Sequence, residues 1–181
     1  MATLSKHLVL SKTRKSKLSD VVRLNIWGNG LQDVSILRQM SNVEILSLSV
    51  NAISSLEPFT GCLKLQELYL RRNNIPSLQD VNYLRHLESL RILWLGENPC
   101  CESPHYRDYI IKALPRLTKL DDQEISPEER AMAESKSFPI PFSVPDGARE
   151  EPREERRESS RVTRSSPAVD DRRKREEEER E

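Results

Sequence analysis

The 181-residue sequence is poor in the residues that most chemistry needs: it holds five glycines, three histidines and three cysteines, and aromatic residues make up 5%. Gly28, Gly30, Gly61, Gly96 and Gly147 are too scattered for a phosphate-cradling loop, and no P-loop, G-x-S-x-G or H-E-x-x-H pattern occurs. His7, His86 and His105 fall in unrelated places without a nucleophile or carboxylate partner in a catalytic pattern. These gaps argue against an enzyme, and no cofactor is expected. Cys100-Cys101 with His105 falls short of the four N and S donors of a zinc site, even with Cys62 added. No metal is expected there; one of the adjacent thiols should pack beneath a cap and the other stay half-buried or exposed. The odd cysteine count, with nothing resembling a secretory leader, fits reduced thiols in cytoplasm or nucleus. No apolar run approaches the ~20 residues that span a bilayer, so membrane insertion is not expected. The net charge is zero, which argues against nucleic acid as the primary ligand.

What the chain has is leucine, and it has it in a pattern. Val21-Leu24-Ile26-Asn29-Leu31-Val34 is followed by Val43-Leu46-Leu48-Asn51-Ile53-Leu56 and by Leu65-Leu68-Leu70-Asn73-Ile75-Leu78; a fourth copy, Leu90-Leu93-Leu95-Asn98, runs into Pro99. The copies start at 21, 43, 65 and 90, a period in the leucine-rich repeat range. This predicts an α/β leucine-rich repeat solenoid over 21–121, with short parallel strands on a concave face and short helical or irregular convex segments. The strands are expected around Leu24-Asn25-Ile26, Leu46-Ser47-Leu48, Leu68-Tyr69-Leu70 and Leu93-Trp94-Leu95. The asparagine at the ninth position of each repeat should turn inward and bond backbone groups of the neighbouring coil.

A solenoid exposes its apolar ends unless caps cover them. Residues 1–20 are read as the N-terminal cap, with Leu8 and Leu10 facing the first coil and Thr13 to Lys17 a solvated turn. Tyr106, Tyr109, Ile110 and Leu114 have helical spacing that Pro115 ends, and they are read as the C-terminal cap. No leucine follows Leu120, which excludes a second leucine-built core. Residues 122–148, with Pro139, Pro141 and Pro145, read as an extended strap or linker. From Arg149 on, 11 Lys and Arg face 12 Asp and Glu with few apolar residues, so 149–181 is expected to be a disordered charged tail.

Side chains alternate along a strand, so the third, fifth, seventh and eighth positions line the concave face. They bring Trp27, Tyr69, Arg71, Arg72 and Trp94 to one surface, and aromatics with arginine are the types enriched where proteins bind one another. These five are the expected partner-binding residues. The basic run Lys12–Lys17 is a lesser candidate for acidic partners such as tubulin tails, nucleic acid or phospholipid.

The strings Leu68-Tyr69-Leu70-Arg71-Arg72-Asn73 and Trp94-Leu95-Gly96-Glu97-Asn98-Pro99-Cys100-Cys101, with Tyr106-Arg107 and Leu114 to Asp121, are narrower than a generic repeat. Over residues 4–125 the sequence resembles the cilia- and flagella-associated protein 410 family. That resemblance implies a non-enzymatic scaffold of the basal body and ciliary base, found with cytoplasm and cytoskeleton, needed for cilium formation or maintenance, and working with a NIMA-related kinase. In that family a C-terminal helical segment forms an oligomer and is tied to kinase binding. After Asp121 this sequence has no leucine-bearing amphipathic helix, so neither property carries over by that route. The same architecture serves in a spliceosomal subunit and in phosphatase-docking regulators, so a nuclear splicing-type adaptor and a phosphatase-docking regulatory subunit stand as alternatives.

Overall fold

The computed structural model describes residues 2–139. The expectations for a charged tail at 149–181 and for Pro141 and Pro145 lie outside the described residues. In chain order the elements are β1 (Ala2–Thr3), α1 (Lys6–Thr13), β2 (Arg23–Asn25), β3 (Leu31–Asp33), β4 (Ile45–Ser47), β5 (Glu67–Tyr69) and β6 (Ile92–Trp94). Then come α2 (Tyr106–Ala113), β7 (Lys119–Leu120), β8 (Gln123–Glu124) and α3 (Pro127–Ser135).

Strands β2, β4, β5, β6 and β7 lie parallel in that order, and β8 closes the sheet antiparallel to β7. The pairing aligns Leu24, Leu46, Leu68, Leu93 and Leu120 as one row, each at most 2% exposed. Ile26, Leu48, Leu70 and Leu95 form a second buried row two residues on. Such close burial contributes roughly 1.5–3 kcal/mol per side chain, so register is held by every coil at once. On the far side the chain returns through 3-10 turns at Ser35–Gln39, Glu57–Gly61, Leu78–Leu84 and Pro99–Glu102. The turn at 78–84 is seven residues long where the two before it are five, and it absorbs the longer third repeat.

The eighth position of each repeat, Gly28, Val50, Arg72 and Glu97, has a φ between 56° and 66°. This left-handed residue turns the chain off the sheet, and the next residue is the asparagine. Asn51 donates to the carbonyls of Leu48 (2.8 Å) and Ile26 (2.9 Å) and accepts from the N–H of Leu31 (2.9 Å). Asn73 donates to Leu70 (2.9 Å) and Leu48 (3.1 Å) and accepts from Ile53 (3.1 Å). Asn98 donates to Leu95 (2.7 Å) and Leu70 (3.0 Å) and accepts from Ile75 (3.0 Å). Asn29 is the exception: it is exposed, and its side-chain amide donates to the nearby Trp27 carbonyl (2.7 Å), while its backbone N–H donates to Asn51 Oδ1 (3.1 Å). It belongs to the first coil, which has no preceding coil whose buried carbonyls it could serve.

Both ends differ in detail from the sequence expectation. The N-terminal helix α1, capped by Ser5 accepting from the Leu8 N–H at 3.2 Å, buries Val9 completely, while Leu8 and Leu10 are half-buried. Leu4 is also buried, and β1 pairs in parallel with β3 as a separate two-stranded sheet. At the other end α2 buries Tyr109, Ile110, Ile111 and Ala113. The extended strap expected over 122–148 is corrected for its first half: Pro127–Ser135 is a helix. Ser126 Oγ accepts from the Glu129 N–H (3.2 Å) and Glu129 Oε2 accepts from the Ser126 N–H (3.1 Å), with Pro127 in the first turn. This reciprocal cap nucleates α3, and Ala133 seals it into the cap region with no exposure. Arg107 on α2 pairs with Glu129 at 2.8 Å. Beyond it Phe138 stacks edge-on with Tyr109 (5.7 Å) and His105 (5.6 Å).

Candidate functional site

Strand register determines what the concave face presents. The pairing puts Asn25, Ser47, Tyr69 and Trp94 in one row, and Arg23, Ile45, Glu67 and Ile92 in another. Tyr69 and Trp94 are thus neighbours, with ring centroids 5.8 Å apart and planes tilted by 54°. Tyr69 Oη donates to Glu67 Oε2 at 2.6 Å, and this bond to the carboxylate pushes the phenol up to about 12. Trp27 lies two residues beyond β2 and is 62% exposed. Its N–H donates to Asn25 Oδ1 at 3.2 Å, which orients the backbone of the turn while leaving the indole free to contact a partner.

Arg71 and Arg72 converge on one carboxylate. Arg71 Nε donates to Glu97 Oε1 at 2.7 Å, and Arg72 Nε lies 3.0 Å from Glu97 Oε2. Two guanidinium groups sharing one carboxylate leave a surplus positive charge, and both arginines are more than half exposed. Exposed pairs of this kind add little stability, about 0–1 kcal/mol, so the cluster is better described as a positioned charge than as a structural staple. An open groove of about 380 Å³ runs between these groups, lined by Trp27, Tyr69, Trp94, Arg71 and Arg72 over a floor of Ser47, Ser49 and Val50. The structure therefore brings all five sequence-selected residues to one groove. Glu97 was missing from that selection, although its place beside Arg72 in the eighth-position row was the signal for it.

The sulfur groups are arranged differently. Cys62 and Cys100 are buried and Cys101 is half-buried, with its Sγ 3.2 Å from the Leu95 carbonyl. Burial pushes the Cys62 thiol up to about 12, whereas hydrogen bonding from Cys100 lowers the Cys101 thiol. Among the described residues no group of three or more His, Cys, Asp or Glu is placed to hold a metal. No helix among them is long and apolar enough to cross a membrane.

A leucine-rich repeat family model matches residues 24–139. The chain belongs to the leucine-rich repeat family. It is 50% identical over 139 residues to cilia- and flagella-associated protein 410 of Homo sapiens, a match covering 75% of this chain and 54% of that protein. The Mus musculus protein of the same name is 51% identical over 132 residues, covering 72% of this chain and 53% of the relative. These identities put the repeat region in the cilia- and flagella-associated protein 410 family, as the Tyr69 to Asn73 and Trp94 to Cys101 strings imply. The chain spans about half the length of these curated relatives. A chain of the Drosophila melanogaster SNF/U2A' complex has the same fold, with TM-score 0.56, 21% identity, and coverage of 74% of this chain and 91% of that one.

Proposed function

We propose that the chain is a non-enzymatic protein-binding scaffold of the cilium, seated at the basal body and contributing to cilium formation or maintenance, and that it holds its partner on the concave groove. The observation that carries this reading is the gathering of Trp27, Tyr69 and Trp94 with the half-neutralised Arg71–Arg72 pair on one rigid sheet. Aromatic rings supply contact area at low entropic cost, and the sheet is already ordered, so little binding energy is lost in arranging it. The surplus charge at Arg71–Arg72 favours a carboxylate on the partner. The cilium reading rests on the names of the relatives, and the partner class that family resemblance implies is a NIMA-related kinase.

The test is the full chain, tagged and imaged beside a basal-body marker in ciliated cells, as wild type and as Trp94→Ala with Arg71→Glu. Basal-body signal from the wild type, its loss in the variant, and parallel loss of binding to a purified NIMA-related kinase are expected. The melting temperature should move by only a few degrees, since the changes touch a solvent-facing aromatic pair worth about 0.5–1.5 kcal/mol. Nuclear signal from both chains would sink the ciliary reading. Undiminished kinase binding by the variant would sink the concave site.

A further inference from the structure

The concave face continues past Trp27 toward the N-terminal cap, and there its chemistry changes. A second open groove of about 600 Å³ lies between α1 and the start of the sheet, lined by Lys12, Lys15 and Arg23 with Val22, Leu24 and Ile45 among its walls. It contains no carboxylate in its lining, and among the described residues no acidic group pairs with any of these three cations. Val22 is 40% exposed in this groove, an apolar surface beside the charges. Ser47 lines both this groove and the aromatic one, so the two adjoin at β4. At the opposite end of the face the lining is Arg71, Trp94 and Gly96 with Glu97, Asp121 and Asp122. There Glu97 is held by Arg71 and Arg72, and Asp121 accepts from the Leu95 and Gly96 N–H groups and the Tyr106 hydroxyl. The exposed Asp122 presents its carboxylate to solvent, with Lys119 on β7 in register with Ile92.

The face is therefore graded: three unpaired cations, then an aromatic centre with two arginines on Glu97, then an end where Asp122 presents an exposed carboxylate. From β2 to β7 there are four strand spacings, about 19 Å, or roughly six residues of an extended segment laid across the strands. We infer that the partner's docking segment is an extended acidic peptide of opposite grading: Asp and Glu residues over Lys12, Lys15 and Arg23, an aromatic or apolar anchor on Trp27 and Tyr69, and a basic residue reaching Asp122. This rests on the concave face being the partner site and deepens it to a partner chemistry and a direction of binding. Electrostatic complementarity of this kind fixes register and rejects the reversed segment, since like charges would face each other at both ends. A uniform polyanion fits poorly, because a nucleic acid strand following the face would carry its phosphates onto Asp121 and Asp122.

The probe is a displayed library of random peptides of about twelve residues, long enough to overhang the face at both ends. It is selected on the full chain, on Lys12→Glu/Lys15→Glu/Arg23→Glu and on Trp94→Ala. All three substituted cations are exposed, so the reversed chain should melt as wild type does. Wild type is expected to enrich peptides with an acidic run on one side of an aromatic or apolar residue and a basic residue on the other. The charge-reversed chain should bind those peptides roughly tenfold or more weakly and select basic runs instead. Enriched peptides that ignore the charge reversal but are lost with Trp94→Ala would overturn the acidic-segment inference and leave the concave site standing. Peptides lost with neither variant would overturn both. Tighter binding of an oligothymidine, of phosphatidylserine vesicles, or of a synthetic peptide of residues 170–181 than of any selected peptide, abolished by the same charge reversal, would replace the proposed partner with that ligand.

Discussion

Replacing Asn73 with alanine tests whether the ladder of asparagines, rather than leucine burial alone, holds the coils in register. Asn73 is 4% exposed, so water does not replace what it provides. Its three bonds are not equal in consequence. The Leu48 carbonyl also accepts from Asn51 at 2.8 Å, and the Leu70 carbonyl also accepts from Asn98 at 3.0 Å, so both keep a donor. The Ile53 N–H has only Asn73 Oδ1, at 3.1 Å. Stranding one buried N–H costs about 1–3 kcal/mol, and losing the shared bonds adds roughly another 1 kcal/mol. The expected destabilisation is about 3 kcal/mol, or roughly 6–12 °C in Tm for a chain of this size. Asn29→Ala is the internal control: same repeat position, exposed, one local bond, and an expected cost of less than about 1 kcal/mol. Urea unfolding of both variants against wild type reads the difference in midpoint at constant slope. Equal destabilisation by the two changes, or a loss below about 1 kcal/mol for Asn73→Ala, would refute the assignment of register to the ladder.

Arg107 hydrogen-bonded to Glu129 lowers that carboxyl to about 2 from its usual 4.5, so the pair's contribution is present above about pH 4.5 and is lost as the pH falls toward 2. Glu129→Gln should therefore melt below wild type at pH 7, with the gap closing by acid melts near pH 2; a gap that persists there would contradict the ionic origin. Cys101, half-buried and lowered by hydrogen bonding from Cys100, should be alkylated by iodoacetamide well before the buried Cys62, which is pushed up to about 12 and stays unlabelled in the native chain. Peptide mass spectrometry distinguishes them, and equal labelling of the two would contradict this. Gly61→Ala should destabilise by about 1–3 kcal/mol, because a Cβ there would overlap the Arg38 carbonyl oxygen and come within 2.6 Å of the Arg38 Cα; an unchanged Tm would mean the backbone yields freely.

The rows of leucine were legible because burial imposes them at every coil: Leu24, Leu46, Leu68, Leu93 and Leu120 must face inward whatever else changes. From that alignment the concave rows followed, and with them the grouping of Trp27, Tyr69, Arg71, Arg72 and Trp94. Pairwise contacts were less legible. That Glu97 bridges Arg71 and Arg72 is a contact between neighbouring coils, which the spacing within one repeat does not specify. The role of Asn29 was misjudged because a repeat pattern treats the first coil like the rest, whereas its neighbour on one side is a helix. Pro139, Pro141 and Pro145 suggest an extended strap across 122–148, yet Ser126-Pro127-Glu128-Glu129 carries a complete N-terminal capping signal for the helix Pro127–Ser135. Leucine was the wrong residue to look for there, since the small Ala133 suffices for contact with α2.

Strand β8 has a consequence beyond the cap it closes. A sheet of parallel strands stacked along one axis has identical chemistry at each step, so its last edge would accept the first strand of another copy as readily as its own. Such head-to-tail addition never returns to its starting point and grows without limit. At the far edge α1 packs against β2. At the near edge the chain reverses after Asp121, pairing Leu120 with Gln123 and Lys119 with Glu124, and so occupies the template in the wrong direction for a further coil. What remains is a two-residue border bearing an exposed glutamine and glutamate, too short and too polar to recruit a neighbour. The reversal is what makes an open-ended architecture finite.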